Sequence, residues 1–447
     1  MSAKVSAATV FLEKSPALRR FSTVIDAPTA SPTAPVWARD DAFPPAPAGF
    51  GWLDAKGRRH SSESLDALSA QVRDDPNGAV LLVWTPEFPA MRLPEEVGGL
   101  AAALAIARER WTGEELAATT SRVRWLAAIV GGLVGWQLVM GTLAAAHRIG
   151  GGGLAGWLRA GLVAVRDSAP VGMVLLLFVI FGFIPWYQAR KRRSELGRWS
   201  EASTAALLPV LRFESWLMLQ RAPLTRVFLW LMAVVWVAQM WTTAQSTHSL
   251  INALFATHSV AAAGLVKAAY LHGEWWRLLT APLLHGNIVH FLMNMAALVY
   301  LGKRLEVFAR WPHLPLVFLF AAAVGGEASV RFVAATSVGA SGGLMGWLGF
   351  LIVFESLHGK LIPRSARRRL VAGVLLTGLI GLLGYRFIDN AAHLGGLLAG
   401  MAYAGIVFPK STSPNRPGIT VPDLMAGSAA LAVIVAAAAY AVLRMAA

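Results

Sequence analysis

Cysteine is absent from the 447 residues, which excludes disulfides, thiol nucleophiles and thiolate metal sites. Charge is scarce as well. Only 15% of the residues are Asp, Glu, Lys or Arg, where a soluble domain carries about a quarter. Acidic residues are the scarcer sign, 25 against 40 basic ones, leaving a net charge of +15. What is there instead is apolar: 56% of the chain is hydrophobic and 17 residues are tryptophan, whose indole favours the lipid headgroup region. This is a membrane composition. A basic excess alone also fits nucleic acid. The basic residues, however, cluster at the ends of apolar runs, as in "QARKRRSELGR" (188–198) and "PRSARRRL" (363–370), where they orient membrane spans. No nucleic-acid partner is expected. The opening apolar stretch "VSAATVFL" is short and closed by Glu13 and Lys14, so it does not read as a signal peptide.

Residues 1–120 differ from everything after them. The Pro/Ala/Ser-rich text "APTASPTAPVWARDDAFPPAPAGF" reads as a flexible linker. "AVLLVWTP" (79–86) reads as one buried strand, and "PEEVGGLAAALAIARERW" (94–111) has helical periodicity with acidic residues first and basic residues last. We expect a cytoplasmic region with a small soluble α/β domain at about 49–113, which needs a well-packed core to be stable at that length.

Hydropathy then predicts nine spans, since a span needs about 20 mostly apolar residues. Five are clear: Trp125–Ala146, Val171–Tyr187, Val227–Ala244, Leu370–Phe387 and Leu424–Leu443. Four are weaker: Ile288–Gly302, Leu314–Val333, Ser341–Leu357 and Ala391–Phe408. Basic residues mark alternate connections: Arg122 and Arg124, Arg190 to Arg193, Lys303 to Arg310, Arg364 to Arg369, then Lys410 and Arg416. That alternation puts the N-terminal region in the cytoplasm and the C-terminus outside. The connection holding Arg148, Arg159 and Arg166 fits the scheme least, and reads as an amphipathic helix on the membrane surface.

The weaker spans carry the chemically capable groups. "LLHGNIVHFLMNMAAL" supplies His285, His290 and Asn294, and the last two, four residues apart, share one helix face. "VGASGGLMG" opens a span at Ser341, and "DNAAHLGGLLAGMAYAG" carries His393 near its start. Polar side chains in hydrocarbon are costly and face a protein interior or a water-filled cavity. Under this topology they all fall near the outer ends of their spans. Gly396 and Gly400 lie on the face of His393, while Gly342, Gly346 and Gly349 follow Ser341; small residues at such spacing let two helices approach closely. Packed so, the Ser341 hydroxyl comes within reach of His393, the base a weak hydroxyl nucleophile requires. A serine at a helix start also offers unused backbone N–H groups to a developing oxyanion, and His290 and Asn294 can add donors.

Each feature has a plain reading. A serine in a membrane helix commonly bonds back to its own preceding turn, a lone histidine is often structural, and GxxxG is ordinary packing. It is their combination that points to chemistry. The three histidines can be read as a metal site, but no carboxylate accompanies them in the span Ile288–Gly302, and neither metal nor cofactor is expected. Asp389, four residues before His393, is either the acid of a Ser-His-Asp triad or the cap of its helix, and "DNAAH" favours the cap.

These residues resemble the rhomboid intramembrane serine proteases. The family's GxSG matches Gly339 to Gly342. Its histidine–asparagine pattern matches His285, His290 and Asn294. Its late A-H-x-x-G-x-x-x-G helix matches Ala392, His393, Gly396 and Gly400, and its membrane-associated loop ending in W-R matches Trp276 and Arg277. "LGKRLE" (301–306) also resembles the turn after the family's second core helix. The resemblance covers about 227–408.

It implies an all-α polytopic membrane protein with a six-helix core at about 225–410. Two extra helices and a basic connector would precede the core (121–224), and one extra helix would follow it (411–447). It further implies a Ser341–His393 dyad without an acidic third member and an oxyanion hole of His290, Asn294 and the Ser341 amide. Gly339, Gly342, His285, Gly396 and Gly400 would support that site. The substrates implied are transmembrane proteins in the lipid bilayer, cut near the outer end of a helix, and the location a bacterial inner membrane. One departure stands out: the family often has an aromatic residue four positions after the nucleophile, where this chain has Met345. Two alternatives are a non-catalytic relative that binds or escorts membrane helices, and a transporter, which would carry its polar groups at mid-bilayer instead.

Overall fold

The computed structural model describes residues 34–148, 153–196, 201–385 and 388–447. The opening apolar stretch, the first part of the Pro/Ala/Ser-rich run, Gly197 and Arg198 of the connector, and Phe387 at the end of one expected span lie outside the described residues. The described chain is three-quarters helical and divides into two compact units. One comprises residues 37–220 with 368–390, the other mainly 221–367 with 391–447.

The first unit begins with an antiparallel sheet of β1 (Phe50–Asp54), β2 (Arg59–Ser62) and β3 (Val80–Trp84) in the order β2-β1-β3. Only β3 was legible as an apolar run. β2 is a polar edge, "RHSS", exposed at alternate residues, and carries no hydrophobic signal. α1 (Leu65–Asp74) starts at Ser64, whose hydroxyl accepts the Ala67 amide at 3.1 Å. Its Leu68 and Val72 close a core with Val83, Val97, Leu100, Ala103 and Leu104. Residues 36–43, expected to be linker, are instead packed. Trp37 and Phe43 are buried, the Trp37 ring stands edge-on to Phe213 at 5.9 Å, and Arg212 donates to the carbonyls of Trp37 and Arg39 at 3.3 and 2.7 Å. Proline-rich text hid two aromatic anchors.

α2 (Ala101–Arg148) leaves this domain as one helix of 48 residues, about 72 Å long at 1.5 Å per residue. Its first turns belong to the soluble core. Its later turns expose Trp125, Ile129, Trp136 and Leu143, an apolar surface that only lipid or protein would cover. α3 (Gly153–Asp167), expected as an amphipathic surface helix, is packed against another helix. It doubles back along α2, with Gly161 against Leu138 and Thr142, and Gly141 against Ala164. α4 (Ala169–Phe178) runs through a π-helical turn (Val179–Phe183) into α5 (Ile184–Leu196). α5 returns to α2 through Arg192 on Glu115 and Arg193 on the Glu109 carbonyl. α6 is Glu201–Leu219.

The second unit opens with α7 (Pro223–Thr247). Short helices α8 (Leu250–Ala253), α9 (Thr257–Ala263), α10 (Lys267–Leu271) and α11 (Arg277–Thr280) follow. Then come α12 (Ile288–Ala309), α13 (His313–Phe332), α14 (Ser341–Leu357), α15 (Arg364–Leu383), whose larger part belongs to the first unit, α16 (Asn390–Val407) and α17 (Val421–Ala446). Among the described residues each of the nine expected spans falls mainly on helix, with Gly384 and Tyr385 of the span Leu370–Phe387 already in a turn. Five helices among the described residues are long and apolar enough to cross a membrane, or six if the pair 277–283 and 288–309, bent by 89°, is one span. The protein is a polytopic membrane protein.

Buried charge pins this unit together. The Glu306 carboxylate, on α12, accepts the first free amides of α7, Leu224 at 2.9 Å and Thr225 at 2.8 Å, filling donors that a helix start leaves unmet. Two residues earlier on α12, Arg304 forms a bidentate pair with Glu355 of α14, both fully buried. Between helices the Phe228, Phe318 and Trp347 rings pack with centroids 5.5 to 5.7 Å apart, and the Trp347 indole donates to the Leu314 carbonyl at 2.9 Å.

Candidate active site

α14 starts at Ser341, and the residues before it form a turn that only glycine tolerates. Gly339 has φ of +127°, a region closed to side chains. A Cβ placed there would lie 2.6 Å from His290 Cε1, 2.8 Å from His290 Nε2 and 3.6 Å from Asn294 Nδ2. The first glycine of "GASG" is therefore required by its backbone angle and by the two side chains against it. The Gly339 amide is already used, donating to the Ala281 carbonyl at 3.0 Å. The amides of Ser341, Gly342 and Gly343 belong to the first turn of α14, where no upstream helical carbonyl is available.

His290 and Asn294 stand on one face of α12, as their spacing predicted. Asn287 caps that helix by accepting the His290 amide at 2.9 Å. Asn294 is buried, and its Nδ2 has no hydrogen-bond partner among the described residues. A buried donor left unmade costs about 1–3 kcal/mol, so its position beside the Gly339 turn calls for an explanation. His285 is fully buried with its ring 5.3 Å from that of His290, edge to face, and both ring nitrogens lack partners among the described residues. Trp236 and Phe291 wall it in, at 6.4 and 5.3 Å. His285 thus braces His290 rather than meeting Gly339. Its backbone is held by Gln239, whose amide accepts the His285 N–H at 2.9 Å and donates to its carbonyl at 3.1 Å. Gln239 was missed at the level of sequence, where a lone glutamine in an apolar helix carries no motif.

His393 arrives on α16 through a glycine zipper. A Cβ on Gly396 would meet the carbonyl carbon of Gly342 at 2.9 Å, and one on Gly400 would meet that of Gly346 at 2.6 Å. Both pairs have the same offset, so α14 and α16 run parallel with their N-termini side by side. Continuing that register sets Ser341 and His393 within about 3 Å of each other along the helix axes. His393 and His290 are near enough for a charge on one to be felt by the other. Ser341 and His393 are each half-buried. Met345 is buried one turn below Ser341. Among the described residues no three metal-ligating side chains are grouped to hold an ion.

Trp276 and Arg277 make their contacts with other residues. Arg277 is buried and organises the segment between α7 and α12: its guanidinium donates to the Gly264 carbonyl at 2.7 Å and to Glu274 at 2.6 Å. Trp276 stacks under that guanidinium at 4.7 Å and is met from α17 by Tyr440, edge-on at 5.1 Å, and by Arg444 at 5.2 Å.

In sum, the site sets a hydroxyl at a helix N-terminus near an imidazole, with a second imidazole and a buried unpaired amide donor facing the turn before it. Such a set can attack a carbonyl and stabilise the oxyanion that forms.

The family model of the rhomboid domain matches residues 272–410. The chain is 35% identical over 144 residues to rhomboid protease GluP of Bacillus subtilis, covering 31% of this chain and 27% of that protein. It is 35% identical over 144 residues to the mitochondrial RHOMBOID-like protein 6 of Arabidopsis thaliana, covering 31% and 46%. It is also 32% identical over 142 residues to inactive rhomboid protein 2 of Homo sapiens, covering 31% and 16%. The matched stretch thus spans less than half the length of each of these relatives.

Proposed function

From the membership of this chain in the rhomboid family, we propose that it is an intramembrane serine endopeptidase working through Ser341 and His393. The His393 imidazole takes the Ser341 proton as the hydroxyl attacks a peptide carbonyl. The oxyanion is received by Asn294, His290 and the first amides of α14. Returning the proton to the leaving amine frees one product and leaves an acyl-serine, which water hydrolyses with the same imidazole as base. Asp389 sits just before α16 and serves as its cap, not as a third catalytic member. The substrates are transmembrane helices cut where they loosen near the outer face, and no cofactor takes part.

The observation that carries this reading is the Asn294 Nδ2 donor, buried, without a partner among the described residues and facing the Gly339 turn. A fold kept only for binding gains nothing from an unmet donor, whereas an oxyanion hole requires one. The likeness to GluP supports the same activity. The likeness to an inactive rhomboid protein supports a second reading, a non-catalytic protein that binds or escorts membrane helices. The basic connections support an orientation with the N-terminal region cytoplasmic, and the likeness to GluP supports a bacterial plasma membrane; the mitochondrial relative makes an organellar membrane the alternative.

Cleavage of a single-span reporter by the purified protein, beside Ser341→Ala and His393→Ala, separates the readings. The protease reading predicts cutting by the wild type and none by either variant. A reporter panel that is bound equally by all three proteins and never cut would establish the escort reading.

A further inference from the structure

The connection from α13 to α14, residues 333–340, has no regular structure, yet it ends on Ser341. It is held from one side by the segment between α7 and α12. Leu265 and Ser337 exchange backbone hydrogen bonds, at 2.9 Å and 3.3 Å, and Gly339 donates to Ala281. On that holding segment, beside the strap formed by residues 333–340, lies Lys267, the first residue of α10. Its side chain is buried, and Nζ donates to Ser329 Oγ at 2.7 Å and to Ser337 Oγ at 2.6 Å, with the two hydroxyls 2.9 Å apart.

A buried ammonium is expensive, and an apolar side chain of the same length would fill the space without that cost. The charge is therefore retained for what it holds. Ser329 lies in the last turn of α13, where a cation also complements the helix dipole, and Ser337 is four residues ahead of Ser341. One ammonium thus ties the end of α13, the nucleophile's connection and α10 into a single node.

We propose that Lys267 is a positioning residue for the serine nucleophile, acting through Ser337 to fix the residues that set Ser341 and the N-terminus of α14 against His290 and Asn294. This rests on the reading of Ser341 as nucleophile. A misplacement of about 1 Å in such a constellation costs on the order of 100-fold in rate, while substrate docking on the helix surface is untouched.

The test uses the full-length protein with two independent readouts. The first is hydrogen exchange of the Ser337 and Gly339 amides, which does not depend on catalysis. The second is kcat and KM for the single-span reporter. Lys267→Met keeps the stem and removes the ammonium. Ser337→Ala keeps the Lys267–Ser329 bond and provides an answer if the lysine variant fails to fold. We expect either change to speed exchange at both amides and to lower kcat about 10- to 100-fold with KM within twofold of wild type. We also expect the double variant to be no slower than the worse single one, because both break the same link. Unchanged exchange with kcat within twofold of wild type overturns the proposal, as do additive losses accompanied by a rising KM. Faster exchange in the variants, alongside a wild type that cuts no reporter, would show a strap with no nucleophile to position; the protease reading would fall, and this proposal with it.

Discussion

Replacing Gly400 by alanine adds one carbon where α14 and α16 touch. That carbon would lie 2.6 Å from the Gly346 carbonyl carbon and 2.8 Å from its Cα, where carbon atoms rest at about 3.5–4.0 Å. The obstacle is backbone, which cannot rotate aside, so the two helices must part by about 1 Å. Helices are stiff over the seven residues from Gly400 back to His393, about 10 Å along the axis, so most of that displacement reaches the imidazole. Gly400→Ala should therefore slow the chemical step up to about 100-fold, with a loss of about 1–3 kcal/mol in stability from overpacking. Gly405, on the same helix, supplies the control: a Cβ there meets no atom within 4 Å. Gly405→Ala should leave activity unchanged and stabilise the helix by at most about 0.5–1 kcal/mol. Initial rates of reporter cleavage under single-turnover conditions, with thermal unfolding of the same samples, read both effects. A Gly400→Ala protein cutting within twofold of wild type would refute the argument that this contact sets the distance between base and nucleophile.

Other outcomes follow from the same geometry. Asn294→Leu removes the unmet donor, so cleavage should fall about 10²- to 10³-fold while thermal stability holds or rises; a stability loss with full activity would deny Asn294 the oxyanion role. Glu355→Gln breaks the buried pair with Arg304 and should cost about 3–5 kcal/mol, measured by denaturation in detergent. In the soluble domain, burial acts to raise the Asp54 pKa, but the Arg58 amide and guanidinium and the Lys56 amide outweigh it and hold it at about 2, below its ordinary 3.8. Because the folded value is the lower one, the stabilisation is complete above about pH 4 and is lost as pH falls through 2. The wild type should therefore lose, between pH 4 and pH 2, the advantage in thermal unfolding that it holds over Asp54→Asn at pH 4.

The helices were legible wherever apolar runs and their punctuation agreed. The start of α14 at Ser341 follows from the glycines and alanine just ahead of it, and His290 and Asn294 share a face because four residues make about one turn. The zipper between Gly342, Gly346, Gly396 and Gly400 was readable because close approach demands small residues at fixed spacing. Contacts between distant positions were not. Lys267 meets Ser329 and Ser337 across 62 and 70 residues, and nothing near it in the chain announces a buried ammonium. Gln239 was silent for the same reason. The aromatic anchors Trp37 and Phe43 were masked by proline-rich surroundings, whose composition reports backbone preference and not what a single ring finds to pack against. β2 was missed because a polar edge strand has no apolar alternation to read.

The central claim is that Ser341 is a nucleophile activated by His393, and covalent capture tests it most directly. The full-length protein in detergent is treated with a fluorophosphonate, which phosphonylates activated serine hydroxyls, and the adduct is located by mass spectrometry. The account predicts a single adduct on Ser341 in the wild type, sharply slowed in His393→Ala. An unlabelled Ser341 in folded protein, or equal labelling with and without His393, would contradict it.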